Sequence, residues 1–458
     1  MYIQRKLERT ILHYIHSREI IAIVGSRQAG KTTLIQHLLS SKKRCAAVTF
    51  DDKDVLDLFN RHIKDFIAAY VKGNDILFID EFQYAKQGGR QLKFIYDTER
   101  IKIFISGSST PELTVQASKY LVGRILTFVL YPFDFEEFLS ARDQAVLKLY
   151  RDNKMKIEKR EVYDISPAVH AFLAPLYEEY LLYGGYPRIV LERDREAKKI
   201  LLKNIASTFF IREVSDYLGL IDDRHINTLI KALALQIGNL VEYNELSRLS
   251  ETSYPTLKKY CAFLEKTYIC TFVKPFFKNK RTEIVKNPKV YFIDTGLRNT
   301  LVSDFRPFNK RTDVGALLEN GIAMAFFKKG LPVHFWRDKR GNEVDFIISL
   351  EGNRHIGIES KQTLYGKKNI ASRAFRNNYP NIPLFIAYVR KEKTYDDLHV
   401  PAYFLPLESK EDEWFHTPEW QAKERETDKA IKEKNVSGPF KTASSLFKHL
   451  NKAKRRKP

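Results

Sequence analysis

A short glycine-containing loop with a lysine and a threonine at its end is the clearest chemical feature of the sequence. Residues 25–32 read GSRQAGKT and directly follow the apolar run IIAIV at 20–24. The glycines permit a tight turn that points backbone N–H groups at phosphate oxygens, and the following helix adds the positive end of its dipole. We expect Lys31 to reach the β- and γ-phosphates of a nucleoside triphosphate and the Thr32 hydroxyl to bind Mg²⁺. The predicted nucleotide contacts are Gly25, Ser26, Arg27, Gln28, Ala29, Gly30, Lys31, Thr32 and Thr33.

An acidic pair ends a second apolar run, ILFIDEFQ at 76–83. Asp80 is expected to bind Mg²⁺ directly or through water, and Glu81 is the candidate base that orients the attacking water. By itself such a pair is common, and the glycine-containing loop alone has an ordinary strand-to-helix turn as its alternative. Their combination predicts ATP and Mg²⁺ as ligands and favours hydrolysis over passive binding. A serine of ISGSST at 105–110 is a candidate sensor of the γ-phosphate.

Short runs rich in Ile, Val and Phe alternate with helical patterns through the first 145 residues. These strand candidates lie at 20–24, 46–50, 76–79, 101–105 and 125–130. Such alternation predicts a parallel sheet that is covered by helices on both faces. The predicted class is therefore α/β, and the loop and the acidic pair would both lie at the carboxyl ends of strands.

Several motifs in order resemble the prokaryotic AAA-superfamily ATPases of the archaeal-ATPase type: GSRQAGKTTL, ILFIDEFQ, ISGSST, LVGRILTFVLYPFDFEEFL and YLLYGGYPRIV. The resemblance covers roughly residues 1–408, and it implies a winged-helix segment and a C-terminal domain after the ATPase core. It also implies a catalytic role for Arg124 in LVGR, whose guanidinium would approach the γ-phosphate from its own or a neighbouring subunit. The second arrangement implies a homo-oligomer. A surface arginine after a turn is the alternative.

Residues 242–269 carry a helix-turn-helix pattern with its turn near 251–253. Two strand-like runs within 271–293, joined by the basic segment KNKRTEIVKNPK, add a predicted wing. In a winged helix the exposed face of the second helix contacts the major groove or phosphates of DNA, whereas some winged helices dock only proteins. The predicted DNA contacts are Thr256, Lys258 and Lys259 on that helix, with Lys278, Lys280 and Arg281 in the wing.

Acidic residues recur in EVDFIIS at 343–349 and HIGIESK at 355–361. A hairpin centred on Gly352 would place Asp345 opposite Glu359, about 5 Å apart, and such carboxylates repel unless a cation or proton lies between them. The segment resembles magnesium-dependent nucleases of the PD-(D/E)xK class. The resemblance implies metal binding by Asp345 and Glu359, with help from Glu319, and water activation or charge stabilisation by Lys361. An active nuclease, an inactive nuclease-like platform and a plain charged hairpin remain three interpretations.

The charge of the chain favours an anionic partner. Subtracting 56 acidic residues from 77 basic ones leaves +21, and the isoelectric point is near 9.5. Both values favour nucleic acid or a membrane surface as the partner, of which DNA is the prediction, with a merely lysine-rich surface as the alternative. The three cysteines have no zinc-ligand spacing, which fits a reducing cytoplasmic setting. The sequence contains no apolar run long enough for a membrane span, so we expect no membrane association.

The last 50 residues are polar and end in KAKRRKP. They are predicted to form a basic tail that touches nucleic acid, or a segment that folds on a protein partner. The second interpretation rests on a resemblance to the toxin-binding segments of bacterial antitoxins. Trp420, Glu424 and Ile431 would mark a first helix, and Leu446, Phe447 and Leu450 would form the apolar stripe of a second helix.

The predicted architecture is a P-loop NTPase with an AAA-like parallel sheet, a helical and winged-helix region, and a nuclease-like α/β domain. The leading hypothesis is an ATP-hydrolysing, DNA-associated ATPase whose modules are rearranged by the ATP cycle. A nucleotide-regulated interaction or signalling ATPase is the alternative, and DNA cleavage gated by ATP is a third hypothesis. The predicted ranges are an ATPase domain at 1–145, a helical lid or linker at 146–225, a winged helix at 226–304, a restriction-endonuclease-like domain at 305–408 and the tail at 409–458.

Overall fold

The structure is a computed structural model that describes residues 2–40, 42–85, 88–107, 120–158, 165–209, 224–277, 283, 286–364, 370–391 and 398–407. All of them except Leu407 belong to the first of two compact units, Met1–Pro406. The predicted tail contacts and the wing residues Lys278, Lys280 and Arg281 lie outside the described residues. No helix among the described residues combines the length and apolarity that a membrane crossing requires.

The first sheet of the described residues contains five parallel strands in the order β2-β3-β4-β1-β5. The strands are β1 (Ile20–Val24), β2 (Cys45–Thr49), β3 (Ile76–Asp80), β4 (Lys102–Gly107) and β5 (Ile125–Val129). The helices around them are α1 (Lys6–His13), α2 (Lys31–Leu39), α3 (Lys53–Arg61), α4 (Ile63–Phe66), which a π-helical turn (Ile67–Val71) continues, and α5 (Gly88–Thr98). The predicted α/β fold with a parallel sheet is therefore confirmed.

Burial explains why the central strand reads as a continuous apolar run. All five residues of β1 are buried, because helices cover both faces of a parallel sheet. Ile21 and Ile23 pack with Phe104 of β4 and with Leu34 and Ile35 of α2 in one core cluster. The helix that begins with Lys31 is thus anchored to the sheet, and the loop before it lies at the carboxyl edge of β1.

Eight helices follow in the described part of the chain: α6 (Phe135–Arg142), α7 (Gln144–Glu158), α8 (Pro167–Tyr183), α9 (Pro187–Leu191), α10 (Arg195–Phe209), α11 (Arg224–Leu235), α12 (Tyr243–Leu249) and α13 (Tyr254–Lys266). Asp134 starts α6 with a capping box that includes Glu137. The dipeptide Gly184–Gly185 lies between α8 and α9. Gly184 has φ 77°, and a Cβ there would lie 2.0 Å from the Asp294 carboxylate, so no larger residue fits.

The second sheet has seven strands among the described residues, in the order β12-β11-β10-β9-β8-β6-β7. They are β6 (Cys270–Pro275), β7 (Lys289–Phe292), β8 (Val333–Arg337), β9 (Glu343–Leu350), β10 (Arg354–Leu364), β11 (Leu384–Lys391) and β12 (His399–Pro401). The accompanying helices are α14 (Thr295–Leu301), α15 (Val314–Lys328) and α16 (Ile370–Asn378), with 3₁₀ turns at Phe308–Lys310, Glu351–Asn353 and Ala402–Phe404. From α15 to β11 the chain runs helix, three antiparallel strands, helix, strand.

The hairpin of the predicted wing is continuous with the C-terminal sheet. Strand β6 pairs antiparallel with β7 and parallel with β8, at Lys274 with His334 and Pro275 with Phe335. Pairing on both sides of β6 satisfies backbone groups that a free wing would leave exposed. The predicted boundary between 304 and 305 therefore separates strands of one sheet, and the domain ranges stay predictions.

Candidate nucleotide site and acidic cluster

The acidic end of β3 meets the first turn of α2. The Thr32 hydroxyl donates a hydrogen bond of 2.7 Å to Asp80 Oδ2, and the Ser106 hydroxyl at the end of β4 donates to Asp80 Oδ1. Parallel strands end at the same edge of the sheet, which brings these three side chains together. The hydroxyl and carboxylate oxygens are the ligand type that Mg²⁺ prefers, so Thr32 and Asp80 fit the metal that the sequence predicts.

The phosphate-binding loop has a backbone that only glycine allows at its first residue. Gly25 has φ 142°, and a Cβ there would lie 2.1 Å from the carbonyl oxygen of Leu130. Gly30 has φ 95° at the start of α2. Lys31 is 7% exposed, and its ammonium donates to the carbonyls of Gly25 and Ser26 at 2.9 and 3.0 Å. The loop therefore encloses the cation that is expected to bind phosphate.

The candidate base Glu81 sits in a left-handed backbone conformation with φ 52° at the end of β3. Burial raises the pKa of its carboxyl, while a hydrogen bond from Gln83 and the charges of Lys31 and Arg27 oppose that rise. A raised pKa makes a carboxylate a stronger base. Arg27 also interacts with the Tyr84 hydroxyl and lowers its pKa against the effect of burial, so the loop lies near the turn that follows the acidic pair.

Arg124 lies at the amino ends of the parallel strands, whereas the phosphate-binding loop lies at their carboxyl ends. It immediately precedes β5, whose first residue pairs with Ile20, whereas the loop follows Val24 at the other end of β1. The guanidinium pairs with Asp97 at 3.6 Å. Five residues of strand span about 17 Å, so the prediction that Arg124 reaches the γ-phosphate of its own subunit is wrong. A role in a neighbouring subunit stays a prediction.

A buried carboxylate, Asp294, and a partly buried ammonium, Lys328, connect the ATPase region to α15. Lys328, at the end of α15, donates to the Phe133 carbonyl and the Tyr180 hydroxyl, both at 3.2 Å. Phe133 N–H donates to Gly185 O, and Gly185 N–H donates to Asp294 Oδ2, each at 2.7 Å. The Gly-Gly dipeptide was the one available signal for this contact.

Burial disfavours the charged forms of Asp294 and Lys328. It raises the pKa of Asp294 and lowers the pKa of Lys328, and the attraction between the two opposes each shift. Lys328 therefore compensates Asp294 across the contact between α14 and α15.

The predicted helix-turn-helix elements are present as α12 and α13. Ser253 caps α13 through a bond from Thr256 N–H, and Thr256 itself is half-buried. Lys258 and Lys259 are exposed, as predicted, although the Lys258 ammonium stacks 3.1 Å from the ring centroid of Tyr243. The winged-helix assignment and DNA contact stay predictions.

The predicted hairpin register around Gly352 is present in β9 and β10. Ile356 pairs with Ile348 and Ile358 with Phe346, so the same register places Glu359 opposite Asp345. The carboxylates of Asp345 and Glu359 have separate hydrogen-bond partners, unlike two ligands that share one metal ion. Asp345 Oδ2 accepts bonds of 2.7 Å from the backbone and hydroxyl of Ser360, whereas Glu359 pairs with Lys361 at 2.6 Å.

Lys289 of β7 contributes a cation that sequence reasoning missed. Its ammonium, on a side chain 3% exposed, pairs with Glu343 and lies 3.9 Å from Glu319 Oε2. Burial and the charge of Asp345 raise the pKa of both Glu319 and Glu359. Among the described residues, His, Cys, Asp and Glu side chains form no group of three or more that is arranged to hold a metal ion. We call Glu319, Glu343, Asp345, Glu359 and Lys289 the acidic cluster.

Three family models match successive parts of the chain. Residues 17–139 match the AAA domain family. Residues 174–307 match the domain of unknown function DUF8612, and residues 314–405 match the domain of unknown function DUF4143.

Two relatives in sequence are uncharacterised proteins. An uncharacterised protein of Methanocaldococcus jannaschii is 26% identical over 352 residues, which are 74% of each chain. An uncharacterised protein of Mycobacterium tuberculosis is 25% identical over 355 residues, 76% of this chain and 71% of that protein.

Solved structures give distant likenesses. The superposition on a Walker-type ATPase of Pyrococcus abyssi covers 66% of this chain and 96% of that protein, with 16% identity and a TM-score of 0.43. The Orc1 protein of Aeropyrum pernix, solved in complex with DNA, covers 66% and 93% with 13% identity and a TM-score of 0.29. Scores this low support no functional transfer. The family match and the five-stranded parallel sheet identify residues 17–139 as an AAA-type P-loop domain.

Proposed function

We propose that this protein binds and hydrolyses ATP at residues 25–33 and uses the ATP cycle to rearrange its C-terminal modules on DNA. The hydrogen bond between Thr32 and Asp80 carries the proposal, because it joins the phosphate-binding loop to the acidic strand end. The AAA-type domain supports the nucleotide half of the proposal.

Each residue of the site has a proposed role. Lys31 would exchange its bonds to the carbonyls of Gly25 and Ser26 for bonds to phosphate oxygens. Thr32 and Asp80 would hold Mg²⁺, which when bound neutralises charge on the phosphates. Glu81 would take the proton of the attacking water, and its raised pKa supports that role.

Contacts behind the loop offer a route from nucleotide to the C-terminal region. Leu130 flanks Gly25, and Phe133, three residues later, accepts a hydrogen bond from Lys328. Lys328 and Glu319 of the acidic cluster lie on the same helix, α15, about 14 Å apart. If phosphate binding moves the segment 130–133 beside the loop, the movement would act through Lys328 on α15, a rigid helix that reaches the acidic cluster.

The DNA half of the proposal rests on charge. The net charge is +21, and Lys258 and Lys259 are exposed on α13. Binding dominated by phosphate contacts loses affinity steeply as salt rises. We therefore expect the affinity for duplex DNA to fall strongly between low and physiological salt.

ATP turnover, measured with and without single-stranded, duplex and branched DNA, tests the proposal. Turnover that DNA stimulates and that Lys31→Ala abolishes is the expected result. Lys42→Ala is the matched control, because Lys42 is an exposed lysine just beyond α2. Absence of Mg²⁺-dependent turnover in the wild type would contradict the ATPase half, and absence of DNA binding at moderate salt would contradict the DNA half.

A second candidate function is a nucleotide-regulated interaction protein with an inactive nuclease-like domain. Lys289 favours it, because this buried ammonium already neutralises Glu343 and approaches Glu319 where a nuclease would need a divalent cation. A tight nucleotide complex with slow turnover and no response to DNA would support this candidate. Mg²⁺- or Mn²⁺-dependent nicking of plasmid DNA that is lost in Asp345→Ala or Lys361→Ala would instead support cleavage gated by ATP.

A further inference from the structure

The guanidinium of Arg5 is buried against the phosphate-binding loop, and Arg5 is only 5% exposed. Nη1 donates to the Ala29 carbonyl at 2.9 Å, and Nη2 donates to the Tyr131 carbonyl at 2.6 Å. Nε pairs with Glu137 Oε1 at 3.1 Å. One side chain thus joins the N-terminal segment, the loop and the segment that follows β5.

The bond to Ala29 restricts the part of the loop that would face phosphate. The carbonyl and N–H of one trans peptide unit point in opposite directions, so holding Ala29 O directs the N–H of Gly30 away from Arg5. The loop needs such restraint because Gln28, the non-glycine residue just before Ala29, has a positive φ of 58°. Left-handed backbone at a non-glycine residue persists only where surrounding contacts impose it.

The bond to Tyr131 restrains the other end of the loop. The preceding residue, Leu130, donates its N–H to Val24 O at 2.7 Å, and its carbonyl leaves no room for a Cβ on Gly25. Arg5 therefore holds both the last turn of the loop and the wall against its first residue.

We propose that Arg5 is a positioning residue for nucleotide binding, which fixes the loop through Ala29 and Tyr131 before phosphate arrives. The inference rests on the proposed binding of nucleotide at residues 25–33. Glu137 neutralises the buried guanidinium and also accepts the Lys6 N–H at 2.9 Å, so the ion pair is itself held in place. Arg5 stabilises substrate and transition state alike, so its loss raises KM more than it lowers kcat.

Calorimetric titration of the full-length protein with ADP and Mg²⁺, with ATP turnover and thermal melting, tests this role. Arg5→Gln removes the cation, and Arg5→Lys keeps a cation that cannot reach all three partners. Lys6→Gln is the matched control. Lys6 anchors the same segment through pairs with Asp134 and Glu136, both at 2.7 Å.

We expect the Kd for ADP and the KM for ATP to rise about tenfold in both Arg5 variants, with kcat nearly unchanged. The Lys6 variant should bind ADP like the wild type. A Kd for ADP in Arg5→Lys equal to that of the wild type would overturn this inference but not the proposed nucleotide site. The same holds if Lys6→Gln loses as much ADP affinity as the Arg5 variants and the losses parallel the fall in melting temperature. If Arg5→Gln does not fold, Arg5→Lys decides. A wild type that binds no ADP would overturn both this inference and the proposed nucleotide site.

Discussion

The ammonium of Lys328 lies 3.2 Å from both the Phe133 carbonyl and the Tyr180 hydroxyl, and Tyr180 donates to the same carbonyl at 2.9 Å. The carbonyl belongs to the segment that flanks the phosphate-binding loop. This three-way contact therefore links the AAA-type domain to α15.

Removing the charge of Lys328 should weaken that link. Lys328→Met leaves the Phe133 carbonyl with one donor fewer and Asp294 with less compensation, so the free energy of unfolding should fall by about 2 kcal/mol. Urea unfolding of Lys328→Met, Tyr180→Phe and the double variant measures the coupling, which should be nonzero because the groups share one acceptor. Strictly additive losses would contradict a shared contact. Basal ATP turnover should persist in Lys328→Met while stimulation by DNA is lost.

Substituting Glu81 should separate ATP binding from hydrolysis. Glu81→Gln keeps the shape of the side chain but cannot accept the proton of water, so turnover should fall about a hundredfold or more. The affinity for ADP, measured by calorimetry, should stay within about threefold of the wild type, because the loop supplies the phosphate contacts. Turnover equal to the wild type would assign the base to another group.

Asp134 should make the fold sensitive to acid. Burial alone would raise the pKa of its carboxyl, but the charge of Lys6 and hydrogen bonds bring the pKa down to about 2. This value lies below the usual pKa near 4, so between about pH 4 and about pH 2 the unfolded chain binds more protons, and stability falls as pH drops.

Asp134→Asn should lower the free energy of unfolding by about 1–2 kcal/mol at pH 7 and flatten the fall between about pH 4 and about pH 2. Urea unfolding across this pH range provides the measurement. Asp65→Asn, at an exposed position, is the control and should leave the profile unchanged. A steep acid transition that persists in Asp134→Asn would point to other carboxylates.

Removing Lys289 should destabilise the C-terminal sheet. Lys289→Met leaves Glu343 and Glu319 without a buried counter-charge, and the loss should be about 3 kcal/mol. Lys361→Met is the comparison, since the Lys361 side chain is 43% exposed whereas that of Lys289 is 3% exposed. That variant should lose less free energy of unfolding than Lys289→Met, because only one carboxylate loses its partner and the lost ammonium is the more exposed one. Equal losses in urea unfolding would show that the acidic cluster does not depend on Lys289.

Local features were predictable from the sequence. The phosphate-binding loop, the acidic strand end and the five parallel strands follow from apolar runs bounded by Gly and Asp. The β9–β10 register was predictable as well, because a short turn at Gly352 fixes which residues face each other. The helix-turn-helix elements followed from a capping serine at 253 and apolar residues at helical spacing.

The sequence by itself predicted the chemistry of the nucleotide site, since the residues of the loop are neighbours in the sequence and so are the two residues of the acidic pair. Tertiary structure alone decided which distant charges meet. The parallel pairing of β5 with β1 put Arg124 at the amino ends of the strands, and the pairing of β6 with β8 brought Lys289 to Glu319 and Glu343. Arg5 and Lys328 reach the loop and its flank from segments that are far apart in the sequence. Contacts between segments so far apart depend on packing of the whole unit, which no local spacing encodes.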